Sequence, residues 1–196
     1  YGYNVAVVTT KQVYNEFSSG SQDMTAIKDL MKMLYDRAGS NIDRMPQYLL
    51  LFGDASYDMK DRLPGNTNFV VSYQSRNSVS PTGSYISDDY FGFLDDGESD
   101  EITSGLDIGV GRLPAKTIAE AQAMVNKIKQ YHEKPKALGA WRTWISFVAD
   151  DEDNNIHMRD ANKLAVKIDT TSPEYNQEKI YFDAYPQITN SGGQEY

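Results

Sequence analysis

The run Tyr48-Leu49-Leu50-Leu51-Phe52, closed abruptly by Gly53-Asp54, constrains this chain more than any other stretch. Consecutive apolar side chains bounded by a turn residue and an acid leave no polar face for solvent. The run therefore predicts a strand buried on both faces, as in a parallel sheet covered by helices. The acid stands at the strand's carboxyl end, where open α/β sheets gather binding and catalytic groups. The same grammar recurs in residues 144–151, WISFVADD. Two such strands on one sheet edge would frame a site between Asp54 and Asp150.

The flanking segments read as alternating strands and helices. Residues 4–10, NVAVVTT, are β-branched and apolar, which predicts a strand. One short helical turn follows over residues 11–17. Asp23 is an N-cap for a helix carrying Met24, Ile27, Leu30, Met31, Leu34 and Ala38 at helical spacing, with Gly39 as its C-cap. Strand, helix and strand in this order predict a right-handed βαβ unit. Residues 69–75 are a further candidate strand, and residues 106–113, LDIGVGRL, are another, stopped by Pro114. Between them, residues 85–101 set an aromatic core between acidic flanks. The clearest helix runs from Thr117 to His132, with a Thr117/Glu120 capping box and one face of Ile118, Ala121, Val125, Ile128 and His132. Residues 134–140 form a linker, so the domains predicted are residues 1–134 and 141–196. In the second, a strand (144–149), a polar turn (150–155), a helix (156–170) and a strand (179–185) repeat the alternation. The class predicted is α/β with a mainly parallel sheet.

The totals exclude several functions. A net charge of −9 argues against a nucleic-acid surface or an anionic membrane as the main partner. The chain has no cysteine, so it contains no disulfide, no thiolate metal site and no cysteine nucleophile. No window of 18 consecutive apolar residues predicts a membrane-spanning helix. The chain opens with Tyr1 almost directly in a strand and ends in a polar tail, which reads as a piece of a longer protein.

The acids are the first candidates for chemistry. Asp88, Asp89, Asp95, Asp96, Glu98, Asp100 and Glu101 crowd residues 87–101 with no basic residue among them. Such carboxylates either spread into solvent or are bridged by a hard cation, and calcium takes oxygen ligands of this kind. The spacing is not that of an EF-hand loop. Asp150, Asp151, Glu152 and Asp153 form a second cluster with the same two readings. His132 ends a helix, where its charge complements the dipole, and His157 opens the next one. No nucleophile elbow, phosphate loop or dinucleotide fingerprint is present, and no nucleophile–base pair can be assembled from these residues.

The succession YLLLFGD (48–54), SDDYFG (87–92) and DIGVGRLP (107–114) resembles the gingipain-type cysteine peptidases, and is most similar to the sortase-like, PorU-like branch serving type IX secretion in Bacteroidetes. VAVVTTKQVYN (5–15) and AIKDLMKMLYDR (26–37) are similar to that branch too. The resemblance implies a caspase-like three-layer fold of two adjoining subdomains, here the first subdomain plus the start of the second. It also implies a cysteine nucleophile and a His-Gly base, neither of which this chain contains. It assigns Asp150 as the acid that orients the histidine. An acid of the same loop reads a basic side chain in the arginine-specific members; Asn155 stands there, and a neutral amide supplies no ion pair. As the residue before Ile156, Asn155 also reads as a helix N-cap. The resemblance further implies calcium, for which Asp88, Asp89, Asp95, Asp96 and Asp100 are the candidate ligands. The implied partners are a protein or peptide substrate, components of the secretion machinery and the remainder of the peptidase domain. The implied location is secreted or at the outer membrane or surface of a bacterium. Two other readings stand beside it: a non-catalytic, calcium-stabilised binding module, and a phospho-receiver domain suggested by WISFVADDE (144–152). Too few residues follow Glu152 to complete the receiver fold.

Overall fold

The computed structural model describes residues 2–76, 83–98, 105–133, 137–190 and 193–195. It is a mixed α/β chain that divides by contacts into two compact units, Tyr1–Ile128 and Lys129–Tyr196.

In the first unit, helices α1 (Thr10–Phe17) and α2 (Met24–Ala38) lead into strand β1 (Tyr48–Phe52). Thr9 starts α1 with a capping box to Gln12. Asp23 caps α2 through the Thr25 N–H, and Gly39 ends it at φ 53°, as its sequence predicts. Two short strands, β2 (Tyr73–Gln74) and β3 (Ile86–Ser87), form an antiparallel ladder. Strand β4 (Gly109–Leu113) then pairs parallel with β1, Leu51 opposite Arg112. The ladder continues past Phe52, where the N–H groups of Gly53 and Asp54 donate to the carbonyls of Leu113 and Ala115 (2.9 and 3.0 Å).

α1 and α2 cover one face of this pair. Val13, Tyr14, Ala26, Ile27, Leu51, Val70, Val71 and Phe91 form the core, and Leu49 and Val110 pack against it. Met31, Leu94 and Ile108 form a second cluster beside it. Removing one such side chain, as in Leu51→Ala, costs about 2–5 kcal/mol. The opposite face of β1 is open: Leu50 is 59% and Phe52 44% exposed. β1 is therefore buried on one face only, which corrects the two-faced reading. A period-2 backbone sends Leu49 and Leu51 to the helices and Tyr48, Leu50 and Phe52 the other way, whatever their hydrophobicity.

Three other expectations are corrected in this unit. Residues 4–9 form no strand, with Val7 90% exposed, so the parallel partner of β1 is β4 and the expected βαβ unit is not formed. The candidate strand at 69–75 shrinks to two residues, because the N–H groups of Phe69 and Val70 turn back onto the Asp54 carbonyl (3.1 and 3.0 Å). The strand expected from Leu106 starts at Gly109, since the Asp107 N–H is held by the Gly92 carbonyl (3.0 Å).

Helix α3 (Ile118–His132) follows, with the Thr117 hydroxyl accepting the Glu120 N–H (3.1 Å). Glu120 accepts from the Lys116 N–H rather than from Thr117, so the box closes one residue early (2.7 Å). No α3 residue is fully buried: in the apolar stripe read from its sequence Ala121 and Val125 are half-buried and Ile118, Ile128 and His132 exposed.

The second unit is built on β5 (Trp144–Ala149), α4 (Glu152–Thr171) and β6 (Asn176–Tyr181), with β5 and β6 parallel and Ala149 opposite Tyr181. α4 opens with three consecutive left-handed residues, Asp153, Asn154 and Asn155 (φ 52°, 60° and 60°), so regular helix runs from Ile156. Asp and Asn are the residues that tolerate this conformation best after glycine. A short hairpin, β7 (Ile188–Asn190) with β8 (Gly193–Glu195), ends the described chain. Among the described residues no helix is long and apolar enough to cross a membrane.

Candidate functional site

Asp54 and Asp150 both follow strands, as the sequence predicts, but they belong to different sheets and different units. Each edge is therefore considered by itself.

At the first edge Gly53 has a φ of 152°, and a Cβ there would lie 2.8 Å from Val70 Cγ2, so the position has no room for a side chain. The Asp54 carboxylate accepts from the Thr67 hydroxyl and lies 3.9 Å from Lys116 Nζ. Asp58 closes the following loop by accepting the N–H groups of Arg62 and Leu63 (2.6 and 2.7 Å). The centre of this edge is Arg112, at the end of β4. Its guanidinium donates to both oxygens of Asp88 at 2.7 Å and to the carbonyls of Gly53, Val70 and Val71 at 2.9, 2.8 and 3.2 Å. All five of the donors an arginine owns are used. Asp88 also accepts from the Ser72 hydroxyl (2.9 Å). This ion pair joins three chain segments and leaves Asp88 no lone oxygen for a metal.

The acidic stretch meets cations that lie outside it in the sequence. Arg112 reaches Asp88, and Lys32 of α2 donates to Asp96 (2.8 Å) as well as to Asp36 (2.6 Å). The Lys32 bond holds the Asp96 carboxyl below the usual carboxylate range, and the bonds to Asp36 and then to Asp96 raise Lys32 above its ordinary value. Tyr35 donates to Asp95 (2.9 Å), which pushes the tyrosine hydroxyl up. Among the described residues the predicted ligands form no shared cluster: Asp88 and Asp96 face cations and Asp89 lies in the 3-10 turn after β3, while Asp100 lies outside the described residues. Asp95, Glu98 and Asp107 do converge, with one carboxylate oxygen from each inside 4.8 Å. Two of the three also bond the loop itself: Asp107 Oδ2 accepts the Leu94 and Asp95 N–H groups (2.6 and 3.2 Å), and Glu98 Oε2 accepts the Asp95 N–H (3.1 Å). Sequence reading missed Asp107 because it stands after the acidic run, at the threshold of β4.

At the second edge Asp150 follows Ala149 directly and is half-buried. Its Oδ1 is shielded from solvent and has no hydrogen-bond partner among the described residues. A carboxylate oxygen buried in this way costs about 1–3 kcal/mol unless a donor arrives. Asp151, its neighbour, is held instead: Gln187 Nε2 donates to both of its oxygens (3.1 and 3.0 Å) and approaches the Phe182 carbonyl (3.3 Å). His157 Nε2 lies 3.4 Å from Asp153, both exposed. Asn155 is exposed and left-handed, so it lacks the extended backbone of an N-cap.

The sequence profile of peptidase family C25 matches residues 2–196. The chain belongs to that family. No curated protein matches it at a significant level, and neither does any solved structure. C25 comprises the gingipain-type cysteine peptidases, so the chain is a gingipain-like peptidase domain sequence whose substrates are proteins or peptides.

Proposed function

We propose that this C25 chain is the first subdomain and the opening of the second in a caspase-like, three-layer cysteine endopeptidase, and that Asp150 orients the catalytic histidine. The single observation carrying this is the buried, unpartnered Oδ1 of Asp150 at the carboxyl end of β5. With no cysteine and no His-Gly pair of its own, the chain by itself does not cleave peptides. In the complete domain a cysteine thiolate attacks the scissile carbonyl, the histidine takes and returns the proton, and Asp150 holds that histidine's ring. The open faces of β1, β5 and α3 are the surfaces that the remaining layers of such a fold would cover. Asn155, exposed and neutral, supplies no ion pair for a basic side chain, which argues against the arginine-specific pattern. The closest functional type is the sortase-like, PorU-like peptidase that removes carboxy-terminal sorting signals in type IX secretion, working at the bacterial surface with other secretion components.

Calcium belongs to this proposal. Asp95, Glu98 and Asp107 each bring one carboxylate oxygen to within 4.8 Å of the others, a set of hard oxygen donors suited to that ion. When bound it would supply only charge neutralisation and loop rigidity. The same three acids favour the second reading, a non-catalytic calcium-stabilised binding module.

The test is the complete domain, carrying its cysteine and His-Gly base, assayed on a panel of peptides. Asp150→Asn should lower kcat by about 10²–10⁴-fold with the protein still folded. A complete domain without a cysteine, or full activity in Asp150→Asn, would overturn the catalytic reading and leave the binding module.

A further inference from the structure

Two adjacent carboxylates stand at the end of β5, and an imidazole needs only one of them. Asp150 and Asp151 are equally acidic by type, so their surroundings must choose. Gln187 makes the choice. Its amide nitrogen spans both oxygens of Asp151 at 3.1 and 3.0 Å, committing that side chain, while Asp150 Oδ1 is left buried without a partner. The same nitrogen lies 3.3 Å from the Phe182 carbonyl, one residue past Tyr181, the partner of Ala149 across the sheet. One side chain therefore ties the turn after β5 to the turn after β6 and fixes the backbone from which Asp150 projects. We infer that Gln187 is a positioning residue, which clamps Asp151 and so presents Asp150 as the acid available to the histidine. It touches neither substrate nor base. An amide is suited to this role, because it donates to a carboxylate without adding a charge that would compete for Asp150.

The inference rests on the peptidase reading, and the complete domain tests both. Gln187→Leu removes the clamp. It should lower kcat by about 100-fold, as small misplacements of a catalytic group do, with KM held within about two-fold. The acid limb of the pH profile should move, because the histidine loses its fixed carboxylate. Gln187→Glu, which sets an acceptor against Asp151, should be at least as damaging, whereas Asp151→Asn keeps an oxygen for the Gln187 amide and should retain most activity. Loss of activity in Asp151→Asn with Asp150→Asn unaffected would overturn the assignment. A Gln187→Leu protein with a lowered Tm but unchanged kcat and pH profile would also overturn it. Should the complete domain cleave no peptide at all, the peptidase reading fails alone. The carbon-13 carboxyl resonance of Asp150 in this chain then reports the clamp: it shifts in Gln187→Leu if Gln187 places the carboxylate, and its standing still would refute the inference.

Discussion

Arg112 does more for the first unit than any other polar residue described. Its side chain is 12% and that of Asp88 23% exposed, so the pair sits largely out of water while its five bonds join β4, the Gly53 turn and residues 70–71. Truncating one partner of a buried pair strands the other charge, and Arg112→Ala should cost about 3–5 kcal/mol in a denaturant titration. Arg112→Lys keeps the charge but not the planar fork, and should fall between the two. A loss under about 1 kcal/mol in Arg112→Ala would show that solvent replaces the pair. None of this was legible in the sequence. GRLP reads as the end of a strand, and nothing in it says that its arginine turns inward to meet an aspartate 24 positions earlier. Asp150 is the reverse case. Its place at a strand end follows from WISFVADD, and only its unpartnered oxygen needed coordinates.

At the scale of elements, α2 fastens the acidic loop through Lys32 and Tyr35, with Lys28 4.5 Å above the Tyr90 ring. Asp96 is depressed when folded, so its contribution is present above the unfolded aspartate value of about 3.9 and disappears as pH falls through the lower folded value. Lys32 is raised, so its contribution is complete below the unfolded lysine value of about 10.4 and is lost only as pH rises through the folded one. Between these limits the loop should stay fastened to α2. An NMR titration of the Asp96 carboxyl checks this: Lys32→Met should return Asp96 to the ordinary value, and an unchanged titration would dissolve the link. Asp96 is exposed and Lys32 half-buried, so added salt should weaken it. The elements themselves were largely legible. Caps and periodicity placed α2, α3, β1 and β5, because those signals are local. Burial was not, since an all-apolar strand looks the same whether one face or two is covered.

For the molecule as a whole, calcium is the proposal with a global readout. A ligand that binds only the folded state stabilises by about 2.7 kcal/mol at a hundred times its Kd, a rise in Tm of several degrees for a chain this long. Calcium should produce that rise, excess EGTA should reverse it, and Asp107→Asn should abolish it. No shift in the unaltered chain would return Asp95, Glu98 and Asp107 to a solvated loop. By itself the sequence determined the α/β alternation, the helix caps, the strand ends at Asp54 and Asp150 and the C25 membership, because all of these are written in short-range patterns of residue type. Only the tertiary structure decided which acids meet cations and which meet one another. Lys32 and Asp96 lie 64 positions apart, Gln187 and Asp151 lie 36 apart, and no local pattern encodes a contact at that range. It also decided that β1 pairs with β4 and not with residues 4–9, because strand pairing is a choice among distant edges that hydrophobicity alone leaves open.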